Sequence, residues 1–463
     1  MRPSVVALFA AWLLVSGCRI GGAADGVDAP HIDHDASTAP DAEPPADGSP
    51  VAVLDADAST GDLAAPASSL DPIPVDTVAC EHPEYWPLQL ASATYPVLVH
   101  YREPAEQHEA ERVLAYVEHA WQLEVDVIGF RPPRPDEGAC GPDDRFDVFV
   151  WRDKEECFVD VIADDPSTPY DDRLAFLVVD PYGPYGGDLL AATVAHELNH
   201  ACQSADDWED APAIYEMTSV LMEEAVYGDD NGYQQLSQDF QDRPDWSIDR
   251  DDQYKTWFMY GAALYLMYLR DRFFDGGYTF AAQMWLAMRN PAGDNEPDFA
   301  DAIDGLLQPF GTKFVETVPE FARWRWFTGA HADGAHLAEG AALPSVKQMG
   351  SYRVDKSRSI ALTPAPMLLG TSYVELYRQP GDAASVKVSL AGAATDCRWV
   401  VQAVPGVDGS SDGETLDLSS GSATITFGGD GRRTLVLTAL PLDAYDPDLR
   451  DDSRYDLTLL VKP

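Results

Sequence analysis

The sequence predicts an α+β domain, a small mixed sheet plus helices, over residues 77–344, followed by an all-β sandwich or jelly-roll domain over 345–463. Three observations carry this expectation. Short β-branched and aromatic runs alternate with helical spacing up to about residue 200. Residues 188–330 then place apolar side chains mainly at helical spacing. Beyond 345, strand-like runs follow one another between Gly, Asp and Pro, with no helical period. At 463 residues and 45% hydrophobic content the chain can bury a sizeable core.

Residues 96–101 (PVLVHY) read as the first strand. Pro104 suits a helix start, and Val113, Val117, Ala120 and Trp121 recur at helical spacing, predicting a helix over 105–125. Residues 146–151 (FDVFVW) and 174–179 (LAFLVV) read as two more strands. A Pro/Gly turn over 181–187 follows, and Asp188 is placed to cap the next helix. Pro212 opens a further helix and Gly228 closes it. Helices are expected over 260–274, 279–288, 299–307 and 312–327, with Trp324, Trp326 and Phe327 as core. Strands are expected over 373–377, 386–390, 398–403, 423–427, 434–440 and 455–461.

The amino terminus reads as an export signal. Arg2 precedes an apolar run over residues 5–15, and Val15-Ser16-Gly17-Cys18 resembles the bacterial lipobox. The resemblance implies a lipoprotein signal peptide over 1–18, with Cys18 lipidated as a membrane anchor. It points to the outer membrane, cell surface or periplasm, and Arg19 differs from the Asp associated with inner-membrane retention. Residues 19–76 carry 12 acidic residues against Arg19 and no aromatic residue, the composition of an extended acidic tether. The formal net charge of -47 argues against nucleic acid as a partner. Of six Cys, Cys140 and Cys157 flank a predicted strand and are expected to pair, with Cys202 free on a helix.

The chemistry is concentrated in one segment. Residues 193–203 contain HExxH: His196, Glu197 and His200. On a helix, positions i and i+4 share a face, so both imidazoles can bind one zinc ion. Glu197 lies beside them, placed to take a proton from an activated water. A catalytic zinc needs a third protein ligand, and no His follows at the HExxHxxGxxH spacing. Glu216 on the next predicted helix is the leading candidate. Glu209 and Asp210 sit in a loop, and Glu223 and Glu224 come one to two helical turns later. Glu223 shares a helical face with Glu216 and is expected to orient a ligand His.

These residues resemble the glutamate-zincin peptidases. The stretches HELNHACQ and YEMTSVLMEEAVY are similar to a group of secreted bacterial metallopeptidases with HExxHAxQ followed by a Glu-Gly-Thr-Ala-like segment. Leu198-Asn199 stands where that group has an aromatic pair, and Met217 where it has Gly. A family of zinc aminopeptidases has a comparable stretch whose Glu is the third ligand. The resemblance therefore implies a zincin-like domain, zinc as cofactor, Glu216 as third ligand and Glu197 as general base. It implies a protein or peptide substrate, with endopeptidase favoured over exopeptidase action. Related enzymes add a Tyr or His that stabilises the oxyanion, which points to Tyr260, with Tyr254 and His331 as weaker candidates. It also implies that residues 174–179 are an edge strand that pairs with substrate. The rival expectation is a surface binding or adhesion lipoprotein whose zincin domain is catalytically idle.

Overall fold

In the computed structural model the chain is α+β; residues 79–463 are described, apart from 82, 135–137, 139, 153, 165–166, 209, 229–230, 292–293, 406–412 and 450–451. The signal segment with Cys18 and the acidic tether lie outside the described residues. The first sheet contains β1 (Leu88–Ala91), β2 (Val97–Tyr101), β3 (Phe146–Val150), β4 (Phe158–Asp164) and β5 (Arg173–Val179), in the order β1-β2-β3-β5-β4. β2, β3 and β5 run parallel, and antiparallel β1 and β4 close the two edges.

This order corrects one expectation. β5 is not an edge strand, because β3 and β4 occupy both its sides. Among the described residues the outer edge of β4 pairs with no further strand, and its run FVDVIAD is broken by Asp160.

Side chains alternate across the sheet with the period of two that a strand imposes. Phe146, Val148 and Val150 of β3, with Ala175, Leu177 and Val179 of β5, enter the helix-side core. Phe149, Phe176 and Val178 face the other way, against Trp86 and Trp151. The same division explains the cysteines. Cys140 lies in the Trp86 cluster and Cys157 in the helix-side core, so the expected pair is separated by the sheet. Cys140 is instead bonded to Cys80. Cys157, Cys202 and Cys397 are free thiols, all buried.

α1 (Gln107–Trp121) runs into a π-helical turn, Gln122–Ile128, which Gly129 ends with a left-handed φ of 99°. α2 (Leu190–Ser204) lays Leu190, Val194, Ala195, Leu198 and Ala201 on the sheet core. Asp188 lies in the 3-10 turn before α2 and makes no capping bond to it. α3 (Pro212–Val226) packs beside α2, opened as expected by Pro212 at a position with no N–H to satisfy. α4 (Tyr233–Asp242) was not expected: only Tyr233, Leu236 and Phe240 mark its apolar stripe.

The helix expected over 260–274 is broken into α5 (Phe258–Gly261) and α6 (Ala263–Phe273). Gly261 is required at the break, since a Cβ there would stand 2.7 Å from Cβ of Phe240 and 2.9 Å from the Leu236 carbonyl. α7 (Thr279–Met288), α8 (Phe299–Leu307) and α9 (Phe314–Trp326) complete the helical core. No helix among the described residues is long and apolar enough to cross a membrane.

The remaining strands are β6 (Gly350–Arg353), β7 (Arg358–Ala361), β8 (Thr371–Tyr377), β9 (Ser385–Ala391), β10 (Arg398–Pro405), β11 (Glu414–Thr415), β12 (Ala423–Thr426), β13 (Arg432–Leu440) and β14 (Thr458–Lys462). They form two sheets, β11-β10-β13-β8-β6 and β12-β9-β14-β7. Val374, Val401, Leu435 and Leu437 of one sheet meet Ile360, Val386, Val388 and Leu459 of the other in one apolar core, a sandwich. Trp326, Phe327 and Ala322 pack on Tyr373, Val404 and Val436, and the Tyr373 hydroxyl donates to the Ala322 carbonyl at 2.7 Å. Trp326 and Phe327 are core residues, as expected.

Candidate metal centre

The face of α2 opposite the sheet core carries His196 and His200, one helical turn apart. α3 packs against that face and brings Glu216 to them. His196 Nε2 lies 3.1 Å from His200 Nε2 and 3.2 Å from Glu216 Oε2. His200 Nε2 lies 3.7 Å from the same carboxylate oxygen. Zinc bonds of about 2.0–2.1 Å at tetrahedral angles need ligand atoms about 3.3 Å apart. The three separations bracket that value.

The far sides of the imidazoles agree with this. His196 Nδ1 lies 2.6 Å from Glu223 Oε1. His200 Nδ1 lies 2.8 Å from Gln203 Oε1 and 3.2 Å from Ser219 Oγ. Carbonyl and carboxylate oxygens accept, so each Nδ1 carries a proton and each Nε2 is the atom turned inward, a lone pair wherever the ring is neutral. Three lone pairs then converge on one buried point, which a cation satisfies and an apolar core does not. The residues present therefore fit a zinc ion.

The electrostatics describe a site that attracts positive charge, either a proton on His196 or a cation in its place. Burial lowers the His196 pKa, but the Glu216 and Glu223 carboxylates overcome it and hold the imidazole well above its usual range. Burial likewise raises Glu216, yet the two imidazoles hold it down at about 2. Burial pushes Glu197 well above the carboxylate range, with His196 opposing. Glu197 is 1% exposed, its Oε2 has no hydrogen-bond partner among the described residues, and the Val159 backbone amide of β4 favours its ionised form. Tyr260 stacks on His196 at 5.9 Å between ring centroids, 19° from parallel. Burial first, and Glu216 next, raise its hydroxyl pKa well above that of a free phenol.

No protein-family model matches the chain, and no curated protein matches it.

The structure thus brings His196, Glu197, His200, Glu216, Glu223 and Tyr260 together. Tyr254 reaches the same centre electrostatically, through Glu216 and Tyr260. His331 does not: it stacks on Trp326 at 3.9 Å, far along the chain at the joint with the sandwich. Asp210 is turned to the Ala211 amide at the start of α3. A second acidic set, Glu296, Asp298 and Asp301, is largely exposed, and Asp298 is engaged in capping α8 through the Ala300 and Asp301 amides.

Sequence reasoning missed the polar residues behind the two imidazoles and Glu216. Gln203 Nε2 donates to Asn199 Oδ1 at 2.7 Å, to the Tyr215 carbonyl at 3.1 Å and to Ser219 Oγ at 3.3 Å. Gln203 follows His200 by three residues and Ser219 follows Glu216 by three, so helical spacing alone places each beside a residue of the candidate site.

Proposed function

We propose that the chain is an exported, lipid-anchored zinc metallopeptidase of the HExxH…Glu kind that hydrolyses peptide bonds. The observation that carries the reading is the convergence of His196, His200 and Glu216 at tetrahedral separations, with the buried Glu197 carboxylate beside them. Zinc held there supplies Lewis acidity that polarises a peptide carbonyl and lowers the pKa of water toward neutrality.

The protein's own groups do the rest. Glu197 takes the proton of the attacking water and returns it to the leaving amine. Its burial suits it to the second step, because a raised pKa lets the carboxyl hold the proton until the amine leaves; a cation held by His196, His200 and Glu216 would oppose that rise and favour the ionised form the first step needs. Glu223 fixes the His196 tautomer, and Tyr260 holds the plane of the same ring. The outer edge of β4 lies next to Glu197 and suits an extended peptide added as a further strand. The sandwich acts as an accessory domain, and Cys18 attaches the protein to the membrane.

The test is Glu197→Gln in the full chain. Hydrolysis of an unstructured protein substrate is expected to fall by about 10²–10⁴ while zinc stays bound. Activity equal to wild type in a zinc-loaded variant contradicts the reading.

A further inference from the structure

Glu124 has no role in the chemistry above, yet it is held with unusual care. It sits in the π-helical turn Gln122–Ile128, a rare geometry that often marks a functional position. Its backbone carbonyl accepts from both Gly129 and Phe130, at 2.9 and 3.0 Å. Its carboxyl is fully buried, and Oε1 has no hydrogen-bond partner among the described residues. Such a group is costly to bury. The contact that compensates is with α2: Asn199 Nδ2 donates to Glu124 Oε2 at 3.0 Å, across 75 residues of sequence.

That contact begins a chain with a direction. Asn199 gives its N–H to Glu124, so it turns Oδ1 to Gln203. Gln203 gives its N–H groups to Asn199, to the Tyr215 carbonyl and to Ser219, so it turns Oε1 to His200. His200 must then carry its proton on Nδ1 and leave Nε2 free as a lone pair. If Asn199 were reversed, its amide N–H would face the N–H of Gln203. An acceptor at position 124 forbids that arrangement.

We infer that Glu124 is a positioning residue for His200: through Asn199 and Gln203 it fixes the imidazole tautomer that presents Nε2 to the metal. The inference rests on the zinc reading for its consequence, but not for the tautomer itself. It holds with the carboxyl ionised or with its proton on Oε1, because Oε2 accepts from Asn199 in both cases. Gln is therefore a conservative replacement, and Leu of similar size is not.

The experiment uses the full chain with Glu124→Leu, Glu124→Gln and Asn199→Leu. Zinc affinity is measured by competition with a chromophoric chelator. The His200 tautomer is read in metal-free protein from two-bond nitrogen–proton correlations of histidine-labelled samples. Glu124→Leu is expected to weaken zinc binding by about tenfold or more. Glu124→Gln is expected to stay within about twofold of wild type, since it keeps the acceptor. Metal-free wild type and Glu124→Gln should show His200 protonated at Nδ1, and Glu124→Leu a mixture of tautomers. A merely structural role would lower the melting temperature without moving the tautomer. A folded Glu124→Leu with wild-type zinc affinity and tautomer overturns the inference. If that variant does not fold, Asn199→Leu decides by the same two readings. Absence of zinc binding in wild type would remove the metallopeptidase reading, while the tautomer comparison would still decide the role of Glu124.

Discussion

From Val354 to Val461 the two sheets of the sandwich close on Val, Leu, Ile and Phe. The buried polar residues there, among those described, are Thr371, Ser372, Gln402, Thr434 and Thr438, and none is charged. Around α2 and α3 the interior is different in kind. His196, Glu197, Asn199, Gln203, Glu216, Thr218 and Ser219 are buried on two adjacent helices, with Glu124 behind them. An apolar core is stabilised by the area it removes from water and tolerates few orientations. A buried polar cluster gains little net stability and is costly wherever a partner is missing. The sandwich therefore rests on apolar burial, whereas the α2–α3 pair buries polar and charged side chains that satisfy one another.

Three substitutions sharpen or break this contrast. The largest effect is expected in the sandwich. Leu437 is fully buried at the centre of β13, and Leu437→Ala should cost about 2–5 kcal/mol of stability, read by denaturant unfolding. Zinc content should be unchanged; loss of zinc from the folded variant would show that the two regions are not separate in function. Next, Glu223→Gln keeps the shape of the side chain but removes the charge that faces His196. It should weaken zinc affinity by about 10-fold or more with little change in melting temperature. A large melting shift with intact zinc affinity would reverse the assignment of Glu223.

The smallest effect concerns pH. Burial pushes Asp206, just beyond α2, up to about 7, against the pull of Arg131 and Arg289. The folded chain then holds a proton that the unfolded chain releases near its ordinary carboxyl pKa of about 3.9. This contribution is fully present below about 3.9 and is lost as pH rises through about 7. Asp206→Asn should match wild type near pH ~4 and be more stable by about 1 kcal/mol or more near pH ~8. An equal difference between the two proteins at both pH values would contradict it.

The two regions were also unequally legible in the sequence. α7 and α8 have the expected bounds, because strong apolar periodicity and flanking turn residues leave little choice. The interior strands β2, β3 and β5 were visible as apolar runs, while β1 and β4 were not. β1 is only four residues long and half exposed, and Asp160 interrupts the apolar run of β4, which hides both from a hydrophobic pattern. α4 was hidden by its glutamines, and the break at Gly261 by a tertiary contact that no local pattern encodes.

At the site, His196, Glu197, His200 and Glu216 follow from spacing and from the resemblance. Asn199 and Gln203 were in view without a role. Glu124 was out of reach, since its relation to His200 exists only once the π turn meets α2. The pairing of Cys80 with Cys140 depends in the same way on which face of the sheet each side chain takes.

The central claim is tested most directly by elemental mass spectrometry on the purified chain, beside Glu216→Ala. About one zinc per wild-type chain is expected, since three protein ligands and one open position make one site. The Glu216→Ala protein, folded and treated alike, is expected to lose that zinc. A wild-type chain that holds no zinc after reconstitution would contradict the account and favour a binding protein with an idle site.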